Sequence, residues 1–169
     1  MTQIQTLSQY ERPADYHERH DLRTDALANL CPDKEMHSGW NKRKTHPSNG
    51  RHVMLVQRRT IELQAMAGIL RVLGYRVTAA EECSKALFYF GREPCELVIS
   101  ELDMPQLNGF QLARCIRKHS PRTCILMMTA CCQAEVADYM NSHVVDGWLF
   151  KPFRLSVLSD MLKEVGWTM

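Results

Sequence analysis

Residues 99–109, ISELDMPQLNG, are the most informative segment of this chain for its fold. An apolar run that begins at Leu97 ends in a carboxylate at Glu101, and a second carboxylate follows at Asp103. A short apolar run of this kind is typical of a buried strand, and the Asn108-Gly109 pair that follows marks a turn. The stretch therefore places an acidic side chain at the end of a predicted strand.

The same pattern repeats on both sides of this stretch. Apolar runs predict five strands, at residues 52–56, 75–79, 97–99, 124–128 and 144–150. Helical spacing follows each run. The first two predicted helices end at a glycine: Leu63, Met66, Ala67, Leu70 and Leu73 precede Gly74, and residues 84–90 precede Gly91. Leu112 and Ile116 mark the third helix, and Val136 and Met140 mark the fourth. In the last helix Leu155, Leu158, Leu162 and Val165 are predicted to face inward. The alternation predicts an α/β fold, with a parallel sheet covered by helices on both faces.

Residues 1–51 differ from the rest because they are polar and almost free of apolar periodicity. We expect a largely disordered N-terminal arm, since such a segment buries too little surface to offset the entropy of ordering. Leu22, Ala26 and Leu30 share one face of a possible short helix that would be marginal alone. Residues 42–50 have the composition of a basic linker. The domain itself is predicted over residues 52–169.

Composition narrows the class of protein. A chain of 169 residues with a net charge of +2 fits one domain plus an appendage, and gives no reason to expect a nucleic-acid or membrane-surface partner. It has no apolar run long enough to span a membrane and no signal-peptide pattern, so we expect a cytoplasmic protein.

The seven cysteines are an odd number without a C-x-x-C pair, which favours buried thiols. A redox switch at Cys131-Cys132 is a weaker alternative. A metal site formed by His17, His20, Cys31 and His37 is disfavoured by their spacing.

Ligands of parallel α/β sheets bind beyond the carboxyl ends of the strands. That rule makes five short segments site candidates: Gln57-Arg58-Arg59, Ala79-Ala80-Glu81, Glu101, Thr129-Ala130 and Lys151-Pro152.

Taken together, these strand ends resemble the receiver domain of two-component response regulators, over residues 52–169. The resemblance rests on the stretch 97–109, on Met128-Thr129-Ala130 and on residues 148–153, WLFKPF, in the family's order and spacing. It implies a five-stranded parallel sheet of order 2-1-3-4-5. This chain is similar to a degenerate, pseudo-receiver type.

The resemblance also implies roles for individual positions. In the family, an acidic pair after strand 1 and an Asp after strand 3 hold Mg²⁺, and that Asp accepts a phosphoryl group from a histidine kinase. Thr129 and Lys151 match the residues that contact the phosphoryl oxygens, and Trp148 lies at the position of the switch aromatic. Gln57-Arg58 replaces the acidic pair, and Glu101 replaces the phosphoacceptor.

These replacements change the chemistry of the pocket. One carboxylate beside two cations is a poor site for Mg²⁺, which prefers several carboxylate oxygens, so we expect no metal cofactor. Glu101 has three interpretations. In the first, Glu101 is a phosphomimic whose carboxylate takes the place of a phosphoryl group near Lys151 and Thr129. In the second, which we call the ion-pair plug, Glu101 only forms ion pairs with Arg58 and Lys151. In the third, Glu101 accepts phosphate, which would need the missing metal. The ion-pair plug is favoured.

The sequence predicts a non-enzymatic, stand-alone atypical receiver that acts through protein–protein interaction and is not phosphorylated. Its partner would be a histidine kinase or a downstream signalling protein, or a second copy bound through helix 4, strand 5 and helix 5. The residues expected on that face are Val136, Tyr139, Met140, Trp148 and those near Arg154. Two alternatives stay open: an intact phosphorelay receiver, and an anion or nucleotide sensor using Arg58, Thr129 and Lys151.

One turn departs from the family pattern. The family has Gly-Ala-Asp before strand 5, with the glycine in a left-handed conformation, whereas this chain has Val144-Val145-Asp146. Because a β-branched residue resists positive φ, we expect this turn to be built differently, with Asn141 or Ser142 ending the helix.

Overall fold

A computed structural model describes residues 51–166 of the chain. Strands and helices alternate along them in the order β1 (His52–Val56), α1 (Thr60–Val72), β2 (Arg76–Ala80), α2 (Cys83–Arg92), β3 (Leu97–Glu101), α3 (Gly109–His119), β4 (Cys124–Thr129), α4 (Ala137–Met140), β5 (Gly147–Phe150) and α5 (Leu155–Glu164). None of these helices has the length and apolar content needed to cross a membrane. The predicted arm, its short helix at residues 21–30, the basic linker and the His17-to-His37 set lie outside the described residues.

The five strands form one parallel sheet in the order β2-β1-β3-β4-β5, as the resemblance implied. In the middle of the sheet Leu55 pairs with Ala79 on one side and with Ile99 on the other. The carboxyl ends of all five strands therefore meet at one edge, where the candidate site residues were predicted.

Helices cover both faces of the sheet, because successive strand residues point to opposite sides. Val53 and Leu55 of β1 pack in one core with α1 and α5, and Met54 and Val56 pack in a second core with α2 and α3. Both faces of β1 are buried, which accounts for its uninterrupted apolar sequence.

The loop after β3 is fixed by a close approach between two backbone segments. A Cβ atom on Gly109 would overlap the carbonyl oxygen of Glu101, so this position excludes every residue with a side chain. The side chain of Asn108 accepts a 2.8 Å hydrogen bond from the Gln111 backbone N–H, and the Gln111 side chain accepts one from the Asn108 N–H. This capping box starts α3 directly below the end of β3.

Three local predictions differ from the structure. Helix α2 continues through Gly91 to Arg92, and β5 begins at Gly147 rather than at residue 144. Leu155, predicted to face inward, is 48% exposed. It is the first residue of α5, and the buried positions of that helix begin one turn later, at Leu158.

The turn before β5 avoids positive φ at Val144, as predicted. Helix α4 ends at Met140 with Asn141 as its C-cap, and His143 adopts the left-handed conformation instead, with φ of 55°. Arg117 of α3 holds the segment through two hydrogen bonds to the Val144 carbonyl, of 3.0 and 3.2 Å, and a 2.6 Å ion pair with Asp146. An arginine thus fixes a turn that lacks the family's glycine.

Candidate functional site

Glu101 lies at the end of β3 and is held from two sides. Its Oε1 accepts a 2.7 Å hydrogen bond from Lys151 Nζ, and its Oε2 accepts a 3.3 Å hydrogen bond from the backbone N–H of Arg58. The side chain of Glu101 is only 14% exposed. A carboxylate withdrawn this far from water needs such partners, because an unpaired buried charge is costly.

Lys151 reaches the site from the loop after β5. Its backbone N–H donates a 2.7 Å hydrogen bond to the Thr129 carbonyl, which continues the β4–β5 pairing, and the peptide bond to Pro152 is cis. Besides Glu101, its ammonium group contacts Glu62 Oε2 at 3.4 Å. One lysine therefore bridges two carboxylates.

Glu62 is a site residue that the sequence reasoning missed. It lies in the first turn of α1, where it also accepts hydrogen bonds from the buried amide of Gln57 and, at 3.0 Å, from Arg59. Burial alone would raise the pKa of its carboxyl, but the Arg59 hydrogen bond and the charge of Lys151 outweigh burial, and the pKa is lowered. The available signal was a carboxylate in the first turn of the helix that follows β1.

The two positions that replace the family's acidic pair behave differently from each other. Gln57 is 2% exposed, and its backbone N–H donates to the Ala80 carbonyl at 3.1 Å. Arg58 is exposed, and in residues 51–166 its guanidinium forms no ion pair with Glu101. The predicted Arg58–Glu101 ion pair is thus wrong, since Arg58 contributes its backbone N–H and its charged group stays in solvent.

The predicted switch residues lie beside this cluster without joining it. The hydroxyl of Thr129 accepts a 3.0 Å hydrogen bond from the Cys131 N–H, so it fixes the loop after β4. Trp148 is half-buried and packs against the core beneath α3, together with Met140 and Phe150. Neither side chain is hydrogen-bonded to Glu101 in the described part of the chain.

The predicted interaction face is smaller than the sequence suggested. Val136 is fully buried and Tyr139 is 6% exposed, with its ring centroid 4.7 Å from that of Phe110. These two residues belong to the core, because the four-residue α4 turns its apolar side chains toward α3. Met140 and Trp148 remain partly accessible, and Asp103 is exposed in the loop after β3.

The pocket is therefore a network of polar side chains that are paired with one another. Two carboxylates, Glu62 and Glu101, share the ammonium group of Lys151, and the Gln57 amide completes the contacts of Glu62. The sequence predicted one carboxylate and two cations here, which leaves one net positive charge. The carboxylate of Glu62 offsets that charge. The described residues contain no cluster of three or more His, Cys, Asp or Glu side chains suited to a metal ion.

Comparisons with known proteins agree with this architecture. The family model for the response regulator receiver domain matches residues 53–163. The solved structure of the chemotaxis response regulator CheY4 of Vibrio cholerae superimposes with a TM-score of 0.64 and 27% sequence identity, covering 69% of this chain and 99% of CheY4. This chain belongs to the response regulator receiver domain family.

Curated relatives include whole response regulators and sensor proteins. The chain is 32% identical over 111 residues to the response regulator protein FleR of Pseudomonas aeruginosa, covering 65% of this chain and 23% of FleR. It is 31% identical over 125 residues to the virulence sensor protein BvgS of Bordetella bronchiseptica, covering 70% of this chain and 10% of BvgS. The match to the two-component response regulator ORR11 of Oryza sativa subsp. indica is 27% identical and covers 68% of this chain and 80% of ORR11. The match thus spans 23% of the length of FleR and 10% of that of BvgS.

Proposed function

We propose that this chain is an atypical receiver, without enzymatic activity, that signals by binding other proteins and is not phosphorylated at Glu101. The observation that carries the proposal is the position of Lys151, whose ammonium group lies 2.7 Å from Glu101 and 3.4 Å from Glu62. In the family, the corresponding lysine contacts the phosphoryl group. Here it is already neutralised by two carboxylates of the same chain.

The donor set does not fit the Mg²⁺ ion that the family uses. Mg²⁺ requires octahedral oxygen ligands, usually one or two carboxylates with several waters. Glu101 accepts hydrogen bonds at both oxygens from Lys151 and Arg58, and the Gln57 amide is bonded to Glu62. These side chains therefore do not fit Mg²⁺, and phosphoryl transfer to Glu101 would lack the cation that neutralises developing charge.

The contacts of Glu101 favour the ion-pair plug over the phosphomimic. A phosphomimic would engage both the lysine and the Thr129 hydroxyl, as the phosphoryl oxygens do in the family. Thr129 accepts a hydrogen bond from the Cys131 N–H instead, and Glu101 uses the Arg58 backbone N–H. The side chains of the pocket would then stay paired with one another, and signalling would depend on the surface of the domain that contacts its partner.

The anion sensor is less well supported. It needs a positively charged pocket, and Lys151, its central cation, is paired with Glu101 and Glu62. The partner would be a histidine kinase or a downstream signalling protein, with the partly accessible Met140 and Trp148 on one contact face. The chain would act in the reducing cytoplasm, where the six described cysteines would stay free thiols.

The test is intact mass spectrometry after incubation with acetyl phosphate and Mg²⁺. We expect the wild type to stay unmodified, and the restored variant Gln57→Asp/Arg58→Asp/Glu101→Asp to gain one acid-stable, base-labile phosphoryl group. The matched control, Gln57→Asp/Arg58→Asp, keeps Glu101 and separates the loss of metal ligands from the loss of the acceptor. A phosphoryl group on the wild-type protein would overturn the proposal and identify an ordinary phosphorelay receiver.

A further inference from the structure

Helix α1 carries apolar side chains on two opposite faces. One face packs in the core through Leu63, Met66, Ala67 and Leu70. On the opposite face Ile61 is 84% exposed and Val72 is 88% exposed. At 100° per residue these two positions point almost directly away from the core. A surface helix normally carries polar residues there, so the second apolar face indicates a partner other than the core.

Two small residues lie between these large ones on the exposed face. Together Ile61, Ala65, Gly68 and Val72 form the α1 stripe, and both Ala65 and Val72 are exposed. A Cβ atom added at Gly68 would meet nothing within 4 Å, so the domain itself does not need glycine there. Because glycine destabilises a helix interior relative to alanine, its presence fits the close approach of another backbone.

The chain itself contains a segment of matching pattern. Leu22, Ala26 and Leu30 recur at i, i+4 and i+8, which places a small residue between two large ones on one helical face. Such a ten-residue helix is marginal alone and needs a surface to pack on. We propose that residues 21–30 dock as a helix on the α1 stripe of the same molecule.

The connection between the segment and the stripe permits this docking. The arm enters the domain at Arg51, whose carbonyl accepts a 3.0 Å hydrogen bond from the Arg76 N–H. Arg76 follows the end of α1 by only four residues, so the arm joins the domain near the Val72 end of the stripe. Residues 31–50 connect the segment to the domain, and a chain of that length has a root-mean-square span of about 25 Å. The stripe is about 17 Å long, which lies within that span.

Charge is also complementary. Asp21 and Asp25 flank the apolar face of the segment, and the exposed Arg59 and Arg71 lie near the two ends of α1. Docking would cover one side of the domain, so a protein that packs a helix on the α1 stripe must first displace residues 21–30. The arm would then act as an intramolecular competitor for that surface, independently of whether Glu101 is ever phosphorylated.

Limited trypsin digestion of the full chain tests the proposal. The bond after Arg23 lies inside the segment, and the bond after Lys44 lies in the linker and serves as an internal reference. We expect cleavage after Arg23 to be about tenfold slower than after Lys44 in the wild type, because cleavage requires the segment to leave its docked state. Ile61→Gln/Val72→Gln should bring the two rates within about twofold of each other, and so should Leu22→Gln/Leu30→Gln.

The control is Phe88→Gln, a change at a 58%-exposed apolar residue of α2, on the other face of the sheet. It should leave Arg23 protected. Equal rates of cleavage after Arg23 and Lys44 in the wild type would overturn the proposal, and the α1 stripe would then be a contact surface for a partner protein. Protection that survives the Ile61/Val72 change would place the segment elsewhere. Protection that fades on dilution would assign the contact to a second copy of the chain and would equally contradict the proposal.

Discussion

The Nζ atom of Lys151 donates a 2.7 Å hydrogen bond to Oε1 of Glu101, between two side chains that are 21% and 14% exposed. Their low exposure limits screening by solvent, so we expect the pair to be coupled by about 1–2 kcal/mol in a double-mutant cycle of Lys151→Met and Glu101→Gln. Urea unfolding measures this coupling. The exposed pair Asp160–Lys163 is the control, and should give less than about 0.5 kcal/mol. Equal couplings for the two pairs would show that the pocket does not depend on this contact.

Glycines 109 and 68 should respond to alanine substitution in opposite ways. Gly109→Ala places a Cβ against the Glu101 carbonyl, so we expect a loss of about 3 kcal/mol or more in the free energy of unfolding. Gly68→Ala meets open space and should cost nothing, or stabilise by up to about 1 kcal/mol. Thermal and urea unfolding compare the two variants directly. A mild effect at Gly109 would mean that the loop after β3 can relax.

Arg117 should be difficult to replace even by lysine. Its guanidinium donates to the carbonyls of Val144, Pro121 and Thr123 and pairs with Asp146. Lysine cannot reproduce this planar fork, so Arg117→Lys should cost about 2 kcal/mol in the free energy of unfolding. The control is Arg114→Lys at an exposed position of the same helix, where we expect a change within about 0.5 kcal/mol.

His52 should make the domain less stable in mild acid. Burial, followed by the charge of Arg76, lowers the pKa of this imidazole below its ordinary value of 6.5. The unfolded chain therefore binds a proton at a higher pH than the folded chain does, and the stability that depends on neutral His52 falls as the pH drops through 6.5 toward the lower folded pKa. His52→Gln should flatten this part of the stability profile, measured by urea unfolding between about pH 7.5 and 5. An unchanged slope would contradict the assignment.

The cysteines should divide into two classes of reactivity. Burial raises the pKa of the Cys83 and Cys95 thiols to about 12, whereas Cys132 is exposed. Because the thiolate is the reactive species and burial also blocks the reagent, alkylation of Cys83 and Cys95 at pH 8 should be far slower than that of the exposed Cys132. Mass spectrometry after iodoacetamide treatment locates the modified residues. Labelling in denaturant, where all three should react, is the control.

The strands could be predicted from the sequence because their information is local. Val53 to Val56 is apolar at every position, since β1 is covered on both faces, and the helical spacing of Leu63 to Leu70 identifies the buried side of α1. The predicted start of β5 and the inward position of Leu155 were wrong, because the ends of elements depend on where a neighbour stops covering them.

The candidate site was predicted in part. Glu101 and Lys151, which follow β3 and β5 on either side of β4, meet because the carboxyl ends of parallel strands share one edge. The alternating βα pattern implies that edge. The residue pattern also marked the turn at Val144, where a β-branched side chain disfavours positive φ and His143 takes that conformation.

Which side chains enter that edge of the sheet became apparent only from the packed structure. Glu62 joins Lys151 from the first turn of α1, whereas Arg58, next to the buried Gln57, leaves its guanidinium in solvent. Val136 and Tyr139 are buried in the core, because the packing of α4 against α3 fixes the direction of their side chains. Spacing along a sequence encodes which face of an element is buried. The meeting of charged groups from different elements depends on the angles and distances between those elements, which exist only once the sheet and its helices have packed together.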